Sequence, residues 1–113
     1  MKTLYIAGPM TGLPEFNYPA FHAAAADLRA LGYQVVSPAE LHDGDTTQPW
    51  DFYVRAGIVA LVGCDAVALL PDWHLSRGAR LEVSIADALG MPVRVVKAWR
   101  NSAWQGPITK TIR

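Results

Sequence analysis

The stretch Ala66 to Val96, AVALLPDWHLSRGARLEVSIADALGMPVRVV, restricts the possible folds more than any other part of the chain. Its opening apolar run, Ala66 to Leu70, is short and unbroken, as in a strand buried on both faces. The run breaks at Pro71-Asp72-Trp73, and Ser76 then offers an N-cap for a helix. Leu81, Ile85 and Ala88 recur at helical spacing, Gly90 stops the helix, and Val93 to Val96 forms a second apolar run after Pro92. Strand, helix and strand in about 30 residues make a parallel crossover. A parallel sheet with helices packed on it is the consequence.

The rest of the chain supplies matching pieces. Thr3 to Ala7 reads as a first buried strand, followed by the loop Gly8-Pro9-Met10-Thr11-Gly12, whose glycines allow a close approach to a ligand or simply a tight turn. Leu13 to Pro19 is irregular, and a helix begins at Pro19 or Ala20 with Phe21, Ala25 and Leu28 on one face, closing at Leu31-Gly32. Tyr33 to Val36 is the second strand. The polar segment Ala39 to Pro49 reads either as a lid or as an ordinary surface loop. Trp50 to Val62 is the second helix, with Tyr53, Ile58, Leu61 and Val62 available to the core; Gly57 in its middle costs about 1 kcal/mol relative to alanine. Asp65 to Leu70 is the third strand and Val93 to Val96 the fourth. The expected fold is α/β, a single-domain three-layer sandwich with a parallel four- or five-stranded sheet, flavodoxin- or Rossmann-like, in strand order 2-1-3-4. In that order Gly8 to Gly12 faces Asp72 to Glu82.

Charge and composition narrow the partners. Ten basic residues balance ten acidic ones in 113, which leaves no electrostatic footprint for a nucleic acid polymer and no polybasic membrane patch. A small molecule is the expected ligand. Cys64 is the lone cysteine, suits a reducing compartment and reads as a structural thiol. The apolar run at the N-terminus is too short for a signal peptide, and no stretch approaches the roughly 18 apolar residues of a membrane span, so a cytoplasmic location is expected. His42, Asp43 and Asp45 share a loop without metal-ligand spacing; neither a metal nor a cofactor is expected. The final segment, Lys97 to Arg113, holds Trp99 and Trp104 in a polar, Gly/Pro-broken context, and such tryptophans pack on the domain or on a partner subunit.

Candidate chemistry collects at the start of the third helix. Ser76, Gly78 and Ala79 offer a hydroxyl and free amides at the positive end of a helix dipole, which suits a phosphate, although Ser76 also serves as a plain cap. Glu82 is either a solvated helix residue or a carboxylate at the sheet edge. A carboxylate there can attack an anomeric carbon as an anion and later leave as one.

Several of these pieces together, Tyr5-Ile6-Ala7-Gly8-Pro9-Met10-Thr11-Gly12, Asn17-Tyr18-Pro19-Ala20-Phe21, Cys64-Asp65, Leu70-Pro71-Asp72-Trp73 and Ser76-x-Gly78-Ala79-x-x-Glu82, resemble the nucleoside 2-deoxyribosyltransferase-like superfamily. Within it the chain is most similar to a small phage and bacterial branch related to the 2'-deoxynucleoside 5'-phosphate N-hydrolases. The resemblance implies Glu82 as the nucleophile, Tyr5 orienting its carboxylate, and Gly8, Pro9, Met10, Gly12 and Asn17 around a nucleoside or nucleotide. It also implies that Ser76, with Gly78 and Ala79, holds a 5'-phosphate, and that the C-terminal segment of a second subunit, through Arg100 or Ser102, completes the pocket in a homodimer. One position departs from the pattern: Gly57 stands where the superfamily carries an aspartate that protonates the leaving base. Either another group substitutes, with Asp72 and Asp51 as the candidates, or the reaction is weak.

Overall fold

The computed structural model describes residues 2–102. Four strands, β1 (Thr3–Ala7), β2 (Gln34–Val36), β3 (Ala66–Leu69) and β4 (Val93–Val95), form one sheet. The order is β2-β1-β3-β4 and every pairing is parallel, as the crossover pattern requires. Tyr5 aligns with Val36 on one side and Val67 on the other, which puts β1 and β3 at the centre. The chain runs from β1 outward to β2, then crosses back to β3 and outward to β4. The switch point where open α/β sheets bind their ligands therefore lies between the ends of β1 and β3.

Alternation along the central strands sorts the core into two halves. Leu4, Ile6, Ala66, Ala68 and Leu70 meet α1 (Tyr18–Ala30) through Phe21, Ala24, Ala25 and Leu28. Tyr5, Ala7, Val67 and Leu69 meet α2 (Trp50–Val62) and α3 (Arg77–Ala88) through Leu61, Ala79 and Ala86. Helices thus cover both faces, the three-layer arrangement that two-sided apolar strands demand. One consequence governs the site: Tyr5 points toward α2 and α3, while its neighbours Leu4 and Ile6 point away.

Two expectations about apolar faces are corrected, and Trp99 takes the first of its two expected packings, on this domain. The buried stripe of α3 is Ala79, Glu82 and Ala86, with Val83 half-buried; Leu81 and Ala88 are exposed and Ile85 is only half-buried. Small alanines pack closest to the sheet, so the helix rolls them inward and turns Leu81 out. Val62 on α2 is likewise exposed, and Leu61 with Gly57 holds the core side. The segment after β4 begins as a helix, α4 (Val96–Ser102), and Trp99 is buried at 4 % exposure. Val96 and Trp99 share one face of α4 and join the α1 side of the core, where the Trp99 indole N–H donates to the Val67 carbonyl at 2.8 Å and the Tyr33 hydroxyl donates to the Trp99 carbonyl. Trp104 lies outside the described residues, as does the side chain of Ser102.

Trp99 fills the α1–α4 side and satisfies a strand carbonyl. Replacing it with alanine should cost about 3–5 kcal/mol of unfolding free energy by chemical denaturation; a loss below about 1 kcal/mol would mean that the indole is not a core group.

Candidate functional site

Glu82 is the one charged residue among the buried positions of α3, at 8 % exposure, and it lies on the helix's apolar stripe. The Tyr5 hydroxyl, brought to the same side by strand alternation, donates to Glu82 Oε2 at 2.7 Å. Burial pushes the Glu82 carboxyl up to about 7, opposed by the tyrosine's hydrogen bond, which favours the anion. Tyr5 itself is held well above the usual phenol range, first by burial and then by the charge of Glu82. The pair therefore keeps its proton on the tyrosine and leaves Glu82 to titrate near neutrality.

The third member is a missing side chain. A Cβ on Gly57 would stand 2.6 Å from Glu82 Oε2 and 2.6 Å from the Tyr5 hydroxyl, closer than real Cβ atoms approach anything. The backbone of α2 thus packs directly on the tyrosine–glutamate pair, and the helix-weakening glycine is the condition for it. A side chain at this position would have to push aside the ends of Tyr5 and Glu82.

A cleft of about 230 Å3 opens over this pair. The end of β1 contributes Gly8, Met10 and Thr11, and the start of α3 contributes Ser76, Gly78, Ala79 and Glu82. Gly8 is required by a close approach, because a Cβ there would lie 2.7 Å from the Leu70 Cβ at the exit of β3. Asn17 steadies the loop by donating from Nδ2 to the Pro9 carbonyl at 2.9 Å. Asn17, Glu15 and Phe16 all adopt left-handed backbone angles, φ 60°, 53° and 52°. Such residues cost roughly 1–2 kcal/mol each, strain of a kind that collects around ligand sites. The turn they form leads into α1 and sets Phe16 and Tyr18 in the cleft wall.

Ser76 caps α3, its Oγ accepting from the Ala79 amide at 3.2 Å. The hydroxyl proton remains free to donate, so capping and ligand binding are compatible. Beside it the Arg77 guanidinium lies 4.0 Å over the Trp50 ring. Facing these groups, the segment between β2 and α2 folds onto the start of α2. The Tyr53 hydroxyl donates to the Asp45 carbonyl and accepts from the Gln48 amide, while Asp45 Oδ1 accepts from both the amide and the hydroxyl of Thr47. His42, Thr46 and Gln48 thereby join Trp50, Tyr53 and Val54 in the wall.

Of the residues expected from the sequence, Gly8, Met10, Ser76, Gly78, Ala79 and Glu82 line this cleft, and Tyr5 lies beneath it. Pro9, Asn17 and Asp72 line a wider neighbouring cleft of about 620 Å3, which Met10 and Ser76 share, and Gly12 lines neither. Asp51 is exposed and pairs with Arg55 on its own helix, and Arg100 pairs with Asp27 on α1. Sequence reasoning missed Phe16, Tyr18, His42, Trp50 and Tyr53 as wall residues. The aromatic run Trp50-Asp51-Phe52-Tyr53 directly after a polar loop was the available signal. Cys64 is half-buried, its thiol pushed up by burial and then by Asp65, and donates to the Ala60 carbonyl, as a structural thiol does.

A parallel sheet of order β2-β1-β3-β4 with a cleft at its switch point defines a flavodoxin-like α/β domain. Residues 2–95 match the family described as "Domain of unknown function (DUF4406)", and the chain belongs to that family. The match spans all four strands and every residue that lines the cleft. No curated protein matches the chain. No helix among the described residues is long and apolar enough to cross a membrane.

The packing at position 57 has a measurable sign. Alanine there should gain about 1 kcal/mol in helix propensity, yet Gly57→Ala is expected to destabilise the protein by about 1–3 kcal/mol through overpacking. In a Tyr5→Phe background, which removes one of the two clashing atoms, the loss should shrink. A double-mutant cycle in denaturant measures the coupling, and a stabilising Gly57→Ala would contradict the contact.

Proposed function

We propose that the protein cleaves or exchanges the N-glycosidic bond of a (deoxy)nucleoside 5'-monophosphate, with Glu82 as the nucleophile. The observation that carries this reading is a buried carboxylate, tethered at one oxygen by Tyr5, lining a cleft at the carboxyl edge of the sheet. The tether fixes the carboxylate and leaves its second oxygen for the cleft. A group titrating near 7 is ionised often enough to attack the anomeric carbon at neutral pH and stable enough as an ester partner to leave again. Attack and departure from one face give net retention through a glycosyl-enzyme ester. Water as the second acceptor makes the protein an N-glycosidase, and a free base makes it a 2-deoxyribosyltransferase.

The remaining walls suit the other parts of such a substrate. The Ser76 hydroxyl and the first amides of α3, with the helix dipole behind them, favour a 5'-phosphate. Phe16, Tyr18, Trp50 and Tyr53 provide aromatic surface for a base. The resemblance to the nucleoside 2-deoxyribosyltransferase-like superfamily supports the same assignment, and with it a homo-oligomer in which the C-terminal segment of a second subunit reaches the phosphate.

Gly57 favours a second reading, a nucleotide-binding or sensing module without turnover, because the helix that faces Glu82 offers backbone in place of an acid. One experiment separates the two. Purified protein and Glu82→Ala are incubated with ribo- and deoxyribonucleoside 5'-monophosphates, with and without added free base, and released or exchanged base is quantified by chromatography. Base release by the wild type, at least 1,000-fold slower in Glu82→Ala, is expected, a loss on the scale seen when a catalytic residue is removed. The catalytic efficiency of the wild type should climb on the acid side through a pH near 7, because only the ionised carboxylate attacks and its ionised fraction grows with pH. Undiminished release without Glu82 would end the nucleophile assignment, and nucleotide binding with no turnover would favour the sensing module.

A further inference from the structure

Departure of a nucleobase leaves electron density on a ring nitrogen, and protonating the base as it leaves typically accelerates such a step by about 100- to 10,000-fold. The position of α2 that faces Glu82 is Gly57, which has no acid to offer, and Asp51 on the same helix is exposed. The other walls of the same cleft, among the described residues, are where a donor of this chain stands. Among the described residues, the titratable side chains that line it apart from Glu82 are Tyr18, His42 and Tyr53. The Tyr53 hydroxyl is committed, donating to the Asp45 carbonyl and accepting from the Gln48 amide. Tyr18 is a phenol raised further by burial, then by Tyr53 and Asp45. Asp72 lines the neighbouring cleft, and Asp51 is turned to solvent beside Arg55.

His42 is different in kind. Its ring packs at 5.1 Å from Phe52 and 5.2 Å from Tyr53, which orients the imidazole without using its nitrogens; among the described residues neither nitrogen is spent on a hydrogen bond. The loop that carries it is pinned to α2 through Tyr53, so the ring is held in the wall. The Asp45 carboxylate, held low mainly by Thr47 and Gln48, stands within electrostatic reach of His42. Imidazolium is the commonest general acid in proteins.

Resting on the reading that this cleft breaks an N-glycosidic bond, we propose that His42 is the general acid that protonates the departing base. The free oxygen of the Glu82 carboxylate bonds to the anomeric carbon as the carbon–nitrogen bond breaks. The pair of electrons from that bond passes to the base, the base takes the His42 proton, and a neutral imidazole remains beside a glycosyl ester. Water then attacks the anomeric carbon, its proton passes to His42, and Glu82 leaves as the carboxylate, which restores the starting state.

The test compares His42→Asn with the wild type on two pairs of nucleoside 5'-monophosphates, in whichever sugar series the wild type uses. One pair carries guanine and 7-methylguanine, the other thymine and 5-nitrouracil; the second member of each leaves without needing a proton. Catalytic efficiency should fall at least 100-fold on guanine or thymine and less than about 5-fold on the matched activated base. The acid-side limb of the pH profile, which belongs to Glu82, should stay in place, a result that a merely misfolded variant would not give. Equal losses on both members of a pair, or no loss on either, would overturn the role of His42 while leaving the Glu82 ester detectable by intact mass. Absence of both base release and ester in the wild type would instead remove the glycosidic reading itself.

Discussion

Everything at the site depends on holding one carboxylate out of water. An unpaired buried carboxylate costs several kcal/mol, and proteins meet that cost by pairing it, hydrogen-bonding it or letting it take a proton. Here a single tyrosine hydroxyl bonds one oxygen of Glu82, and the residual penalty appears as a carboxyl that titrates near neutrality. No cation pairs with Glu82 among the described residues. The environment is therefore tuned for a group that changes charge, and less for one that serves stability.

The sheet delivers this arrangement through registers that are elsewhere ordinary. Alternation in β1 sends Tyr5 toward α2 and α3, and the glycine in α2 lets the helix backbone close on the pair. The same economy of space recurs at Gly8, where the exits of the two central strands touch. Around the mouth the chain accepts backbone strain at Glu15, Phe16 and Asn17, and so the aromatic wall is set on a turn that helix propensity alone would not select. The segment from His42 to Gln48 adds the opposite wall through hydrogen bonds to Tyr53. Rigid strands and helices hold the charged centre, and loops supply the surface that meets a ligand, a common division in α/β folds.

How much of this was legible follows from which signals are local. The strands, the crossover order and the Ser76 cap are written in short apolar runs and a capping residue, and the structure reproduces them to within a residue or two. The meeting of Gly8 with Ser76 and Glu82 also followed, because strand order brings those segments together, whereas the place of Tyr5 beside Glu82 was implied only by the resemblance. The buried face of α3 did not, since a stripe of alanines around a glutamate is invisible to a search for large apolar residues. Trp99 was obscure for a related reason: a seven-residue helix carries too few turns to show a period, and its burial depends on α1 and Tyr33 far away in sequence. His42 stood in a polar loop whose fold-back rests on hydrogen bonds between side chain and backbone, which no periodicity encodes.

Gly57 shows the limit most clearly. In the sequence its lack of a side chain reads as the loss of an acid, and the three-dimensional contacts add that a Cβ there would have to displace the ends of Tyr5 and Glu82. The most direct measurement of the account is a 13C NMR titration of the Glu82 carboxyl in the wild type and in Tyr5→Phe. A midpoint near 7 is expected in the wild type and a higher one in Tyr5→Phe, because the lost hydrogen bond favoured the anion. A midpoint near the ordinary glutamate value of 4.5 would contradict it, since the carboxylate would then be solvated and free of the packing that the site is built on.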